Sequence, residues 1–262
     1  MRVTSAELVW AALAAAMLAA ALAEAQGTDG GPEDAGPEDA GQEPPDAGWA
    51  AGSGASDAGP PPGSYNVTET FERYPVGEPP EGFLYRRTGK GAPARWLVRE
   101  VTRAPSPTHV LAQTDADRTA PRYPQALLDN FPVRDARILA RCRVLSGRDE
   151  RSCGVLARHK SEKGYYLARL STRDANVCLY VIGEDAMKKP ERRELACAPA
   201  TVVPWRWYGI ALTVRRGHLE VHLSGKKLLE AEDAIHPEAG RVGIWTGNDT
   251  VAEFDDVRTD AP

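Results

Sequence analysis

The sequence predicts an all-β fold, a two-sheet antiparallel jelly-roll sandwich, over residues 65–262 of a 262-residue chain. Three observations carry that expectation. From Tyr65 onward, apolar side chains recur with period two in short runs broken by Gly, Pro, Asp and Asn, as in strands with one buried face. The chain holds 21 Pro and 24 Gly, too many breakers for a mostly helical protein. No segment of this body sustains a helical period.

In chain order, the first candidate strands are 67–71, 83–87, 95–101 and 110–113, followed by 138–144, 153–159, 165–170 and 176–182. The clearest signal comes next. Tyr208, Ile210, Leu212 and Val214 share one face, the turn Arg216-Gly217 follows, and the return strand sets Leu219, Val221 and Leu223 inward and His218, Glu220 and His222 outward. Runs at 241–246 and 251–257 complete the set.

Ahead of the body, residues 1–25 read as a signal peptide. Arg2 supplies the charged end, 8–23 is an uncharged run of 16 residues, and Ala23-Glu24-Ala25 fits a small-x-small cleavage site. The rival reading, a membrane anchor, asks for roughly 20 apolar residues. Residues 26–64 carry 10 Gly, 7 Pro, 7 Ala, eight acidic side chains and no basic one, and repeat Gly-Pro-Glu-Asp-Ala at 31–35 and 36–40. Such a segment buries too little apolar area to offset its ordering entropy and reads as a disordered acidic linker. The whole chain carries a net charge of −5, while the body has 31 Lys plus Arg against 27 Asp plus Glu. That balance, with no basic run, argues against nucleic-acid binding.

Four cysteines, Cys142, Cys153, Cys178 and Cys197, lie in a chain expected to be exported. An oxidising compartment favours pairing, and no two stand at the short spacing of a zinc site. Cys142 and Cys153 are symmetric about the turn at 146–151, and Cys178 and Cys197 about Met187-Lys188. Hairpin pairing therefore favours Cys142–Cys153 and Cys178–Cys197.

Certain motifs carry a resemblance. Thr70-Phe-Glu-Arg-Tyr-Pro-Val-Gly-Glu-Pro-Pro-Glu-Gly-Phe83 resembles the opening of concanavalin-A-like (laminin-G-like) sandwich domains of bacterial secreted proteins. Gly154-Val-Leu-Ala-Arg158 followed by Gly164-Tyr-Tyr-Leu-Ala-Arg169 is similar to a pair of their strands. So are Val221-His-Leu-Ser-Gly225, Gly240-Arg-Val-Gly-Ile-Trp245 and Phe254-Asp-Asp-Val257. The ordered set looks like the 3-keto-disaccharide hydrolase group, often loosely joined to family 16 glycoside hydrolases. The resemblance implies a sandwich and either glycan binding or hydrolysis. A family 16 strand reads Glu-x-Asp-x-x-Glu; here Glu253-Phe-Asp255-Asp-Val-Arg258 puts Arg at the last position.

Candidate ligand-binding residues follow from strand parity and residue chemistry. Arg158 and Arg169 match the family pattern on adjacent strands, with Tyr165 on the face of Arg169; guanidinium donors suit sugar hydroxyls or carboxylates. Arg141 and Arg143 alternate outward and extend the patch. Trp245 alternates away from Val242 and Ile244, offering a stacking face. His159, beside Arg158, is a candidate acid or base. The competing reading of these arginines is a solvated face with cross-strand ion pairs. Glu72, Asp255 and Asp256 are candidate ligands for a structural calcium ion, if the terminal strands are neighbours. No Ser-His-Asp signature or Gly-rich phosphate loop is present. The expectation is a secreted or periplasmic, cell-surface module that binds a glycan or surface polymer, with a hydrolase and a structural interaction domain as alternatives.

Overall fold

A computed structural model describes residues 65–129 and 131–261; the segments expected to be a signal peptide and a linker lie outside the described residues. Within them the chain forms fifteen strands: β1 (Tyr65–Glu69), β2 (Phe83–Gly89), β3 (Trp96–Glu100), β4 (His109–Gln113), β5 (Arg122–Leu128), β6 (Ala136–Ser146), β7 (Ser152–Ser161), β8 (Gly164–Ser171), β9 (Asn176–Glu184), β10 (Pro190–Pro199), β11 (Tyr208–Arg215), β12 (His218–Leu223), β13 (Lys226–Glu232), β14 (Arg241–Thr246) and β15 (Val251–Ala261). One sheet of eight runs β13-β12-β11-β6-β15-β4-β3, with β1 also on β15; the other, of seven, runs β10-β9-β8-β7-β14-β5-β2. All the pairings are antiparallel, so the expected two-sheet sandwich is what forms. No helix among the described residues is long and apolar enough to cross a membrane.

Alternation builds the core directly. On β6, Ala136, Ile138, Ala140, Cys142 and Val144 are buried while Arg137, Leu139, Arg141 and Arg143 are only partly so. Opposite them, Val155, Ala157, Tyr166, Ala168, Val177 and Leu179 come from the second sheet. Phe71 packs on Phe83 at 5.9 Å and Trp96 on Phe254 at 5.8 Å between ring centroids. Each fully buried side chain of this kind contributes about 1.5–3 kcal/mol.

β15 is divided by a bulge between Asp255 and Arg258, where Asp256 has φ 49°. Its first half pairs with β4 and its second with β1, so one long strand anchors both the opening and the closing segments.

Three strands escape the alternation pattern. β5 contains Pro124, which argues against an interior strand. Its ladder with β14 covers only Gln125–Leu127, so the absent N–H costs no bond there. β10 and β13 are sheet edges rich in charge and show no buried alternation, as edge strands that discourage further pairing do. At the other end, the first run stops earlier than expected: Phe71 has left β1 and turns into the core at φ 63°, its N–H held by Glu69 Oε1 at 2.9 Å.

Both expected disulfides form, Cys142–Cys153 and Cys178–Cys197. The hairpin argument explains only one of them. Cys178 and Cys197 are direct partners on the β9–β10 ladder. Cys142 lies on β6 and Cys153 on β7, which belong to different sheets, so that bond crosses the core and ties the two layers together. Replacing both Cys142 and Cys153 by Ala should cost about 3 kcal/mol. Thermal unfolding of the full chain should then show a midpoint lower by about 6–12 °C for a domain of this size. An unchanged midpoint would show that the layers need no covalent tie.

Candidate functional site

The outward face of the seven-stranded sheet is not a wet face. Leu127, Leu156, Tyr165, Leu167, Cys178, Tyr180, Ile182 and Trp245 form a second apolar cluster there, separate from the main core. Strand parity puts them together: each alternates with a core residue on β5, β7, β8, β9 or β14. Register then aligns them across the sheet. Arg86, Gln125, Trp245, Gly154, Arg169 and Cys178 are successive partners from β2 to β9.

The sheet curls toward this face, because side chains from its two ends meet across it. Thr88 on β2 reaches the hydroxyl of Tyr165 at 3.0 Å and donates to the Glu162 carbonyl at 3.1 Å. Arg192, on edge strand β10, lays its guanidinium over Tyr180 at 4.8 Å and over Tyr123 of β5 at 5.4 Å. Tyr123 in turn stacks on Trp245 at 5.4 Å. What is left beneath is a small, partly open space of about 20 Å³ lined by Thr88, Tyr123, Tyr165, Leu167, Ile182, Trp245 and, at its rim, Pro190, Glu191 and Arg192.

Glycine permits the close strand contacts at the middle of this row. A Cβ on Gly154 would lie 2.2 Å from the Ala168 carbonyl oxygen, and one on Gly243 would lie 2.4 Å from that of Ala126.

Of the residues singled out in the sequence, Arg169, Tyr165, Trp245 and His159 share this face. Arg169 is 5% exposed and is held by Glu150 at 3.2 Å, by the Tyr180 hydroxyl at 3.0 Å and by Asp174. Burial opposes its charge, but Glu150, Tyr180 and Asp174 outweigh that and hold its pKa above the ordinary value. Tyr165 and Trp245 face as expected, yet both are fully buried, so neither is an open stacking plate. Burial pushes the Tyr165 hydroxyl well above its usual range.

His159 stacks on Tyr165 at 5.2 Å, and its Nε2 is buried without a hydrogen-bond partner. Burial first, then the nearby Arg241 and Arg86 charges, lower its pKa to about 4.

Arg158 is turned away from this face. The β7 ladders are out of step around it, its φ is 53°, and the side chain enters the end of the sandwich at 1% exposure. There it donates to the carbonyls of Arg134 (2.7 Å), His236 (2.7 Å) and Arg216 (2.6 Å) and pairs with Asp135 at 3.2 Å. It joins loops and offers nothing to a ligand.

Arg141 and Arg143 do not extend the patch either, because β6 is in the other sheet. Arg143 holds Glu253 at 2.6 Å under Trp207, and Arg141 pairs with Asp256 at 3.3 Å. The Glu253-Phe-Asp255 pattern therefore faces the opposite side of the sandwich from the curled face.

Glu72, Asp255 and Asp256 do approach one another around the β3–β4 loop, since β1 and β15 are neighbours. Their oxygens accept hydrogen bonds from that loop: Glu72 from the N–H of Thr108 and His109, Asp255 from the N–H of Ser106 at 2.7 Å, Asp256 from the Ser106 hydroxyl at 2.8 Å. Burial, with the Asp256 and Glu72 charges adding, raises Asp255 to about 7. These carboxylates anchor a loop rather than form an oxygen cage. Acidic groups with ligand atoms gathered within 4.8 Å lie elsewhere among the described residues, one of them at His218, Glu220 and Glu230.

Sequence reasoning missed Tyr123, Tyr180 and Arg192. Tyr180 was within reach, being two residues from Cys178 on a strand of clear parity. Tyr123 and Arg192 sit on the two strands that alternation did not reveal, and nothing local marks Arg192.

No protein-family model and no curated protein matches the chain. Solved structures do. The carbohydrate-binding module CBM66 from Bacillus subtilis is 13% identical with a TM-score of 0.50, covering 68% of this chain and 95% of its own. A glycoside hydrolase family 16 endo-glucanase from Bacteroides ovatus is 9% identical with a TM-score of 0.52, covering 74% and 99%. The fold is a concanavalin-A-like sandwich. At these identities the likeness speaks for the fold alone.

Two outcomes follow from the site. Arg158→Ala leaves three buried carbonyls without their donor and should destabilise the domain by about 3 kcal/mol or more, read by urea unfolding. Arg158→Lys should recover only a fraction, lacking the planar fork. In an NMR titration, the His159 ring should stay neutral down to about pH 4. Its folded pKa lies below the unfolded value. Its contribution to stability is thus complete above the unfolded value, roughly pH 6.5, and is lost as pH falls through about 4.

Proposed function

We propose that this protein is an exported glycan-binding module that recognises sugar rings on the curled face of its seven-stranded sheet. One observation carries the reading. A sheet face with no other layer over it among the described residues is lined by Trp245, Tyr165, Tyr123 and Tyr180, with Arg169 and Arg192 among them, where a wet face would carry scattered charges. Aromatic faces take the C–H side of a sugar ring, and guanidinium groups take its hydroxyls.

The guanidinium of Arg192 occupies the position over Tyr123 and Tyr180 that a ring would take. The space of about 20 Å³ beneath it holds no more than a water. Binding therefore requires Arg192 to swing outward, which an exposed edge strand allows. The freed guanidinium then donates to the ligand. The CBM66 module of the same fold, by its name a carbohydrate binder, supports this reading by analogy, and two disulfides support export.

Binding is favoured over hydrolysis by the state of the carboxylates. A glycosidase needs two facing acids, one of them protonated. Glu150 and Asp174 are both held by Arg169, and Asp174 is kept below its ordinary pKa despite partial burial.

A glycan array probed with the full oxidised chain, with and without calcium, tests the reading. Saturable binding to one glycan class is expected, with Tyr123→Ala weakening it tenfold or more, about 1.4 kcal/mol, while circular dichroism stays unchanged. Binding that ignores Tyr123 would place the ligand elsewhere, and a blank array would move the role to protein interaction.

A further inference from the structure

The edge hairpin β12–β13 carries a cluster that the glycan reading does not use. His218 and Glu232 are direct partners on its ladder, and so are Glu220 and Glu230. Two glutamates placed opposite each other repel, and a cation between them relieves that repulsion. Here the imidazole of His218 lies among them: Nε2 is 3.3 Å from Glu220 Oε1 and 3.8 Å from Glu230 Oε1, and Nδ1 is 2.7 Å from Glu232 Oε1. One ligand atom from each of His218, Glu220 and Glu230 falls within 4.8 Å of the others.

We propose that His218, Glu220 and Glu230 form a binding site for zinc or a similar late first-row divalent ion. The ligand type and spacing select the ion. Metal–nitrogen and metal–oxygen bonds of about 2.0–2.2 Å in a tetrahedron put ligand atoms roughly 3.4 Å apart, and the two Nε2–carboxylate separations bracket that value. Calcium asks for six to eight oxygens and magnesium for an octahedron of them, which one imidazole and two carboxylates do not supply. Imidazole with carboxylate suits zinc, and the fourth position is open to water.

Glu232 acts from the second layer. Its carboxylate lies 2.7 Å from His218 Nδ1, so with an ion on Nε2 the Nδ1–H would donate to it, the arrangement that orients metal-bound histidines generally. An ion at this position must replace the Nε2 contact to Glu220.

A second competitor is built in. Lys227 Nζ donates to Glu230 Oε2 at 2.6 Å and reaches Glu220 Oε1 at 3.5 Å, doing the ion's electrostatic work when no ion is present. The ligands come from adjacent strands of a tight hairpin, where Asp233 N–H bonds the Gly217 carbonyl at 2.9 Å, so little chain must be ordered to bind. A bound ion would pin β13, the outer strand of the eight-stranded sheet, to β12.

Zinc chloride titrated into the full chain against a chromophoric zinc indicator tests the site. One equivalent should bind saturably. His218→Ala and Glu230→Gln should each weaken binding tenfold or more, and calcium should not compete. Lys227→Met should tighten binding severalfold while the stoichiometry stays at one equivalent, whereas nonspecific attraction to an acidic surface would not saturate at one. His109→Ala, on β4 and outside the set, serves as the control and should change nothing. These side chains are partly exposed, and circular dichroism of each variant confirms that the fold is kept. Absence of a saturable equivalent, or an affinity within twofold of the parent for His218→Ala, overturns the assignment.

Discussion

Three adjacent strands, β7, β8 and β9, are buried along nearly their whole length on both faces. An antiparallel sheet at the outside of a two-layer sandwich normally keeps one face wet. Here alternate residues feed two apolar clusters, the inter-sheet core and the cluster around Trp245. Among the described residues no third layer covers the second cluster, and the sheet covers itself. It does so by curling until β2 and β10, its two edges, contribute side chains to the same small space. The glycines at 154 and 243, the stack of Tyr123 on Trp245 and the reach of Arg192 are all consequences of that requirement.

The same self-burial sets the electrostatics. Arg169 stands in the middle of a face that has become an interior, and a lone charge there would be costly. Glu150, Asp174 and Tyr180 surround it, which turns the carboxylates of this face into structural partners. His159 responds in the other sense: with Arg241 and Arg86 as its charged neighbours, burial drives it neutral. A face organised this way carries directed donors beside aromatic surface.

The outer face of the eight-stranded sheet solves the ordinary problem in the ordinary way. Arg99 and Arg143 flank Glu253, Arg141 meets Asp256, and Trp207 shields the Arg143 guanidinium. The two sheets thus share a core and differ outside it. This difference separates Arg169 from Arg141 and Arg143, although all three read alike as outward arginines on alternating strands.

Local pattern was sufficient for much of this protein. Period-two alternation determined the all-β class, twelve of the strands and the inward residues of β6, β11 and β12, because a buried face leaves its mark on every second position. Cysteine symmetry found both disulfides, and strand parity put Arg169, Tyr165 and Trp245 on one face. The tertiary structure decided what parity does not encode. It assigned β6 and β7 to different sheets, which made Cys142–Cys153 a tie between layers. It turned Arg158 inward, since a single irregularity in the ladder redirects a side chain whatever the alternation before it. It also closed the curled face over Tyr165 and Trp245, because curvature is a property of the whole sheet and brings Tyr123 and Arg192 together across about 70 residues of chain that share no local signal.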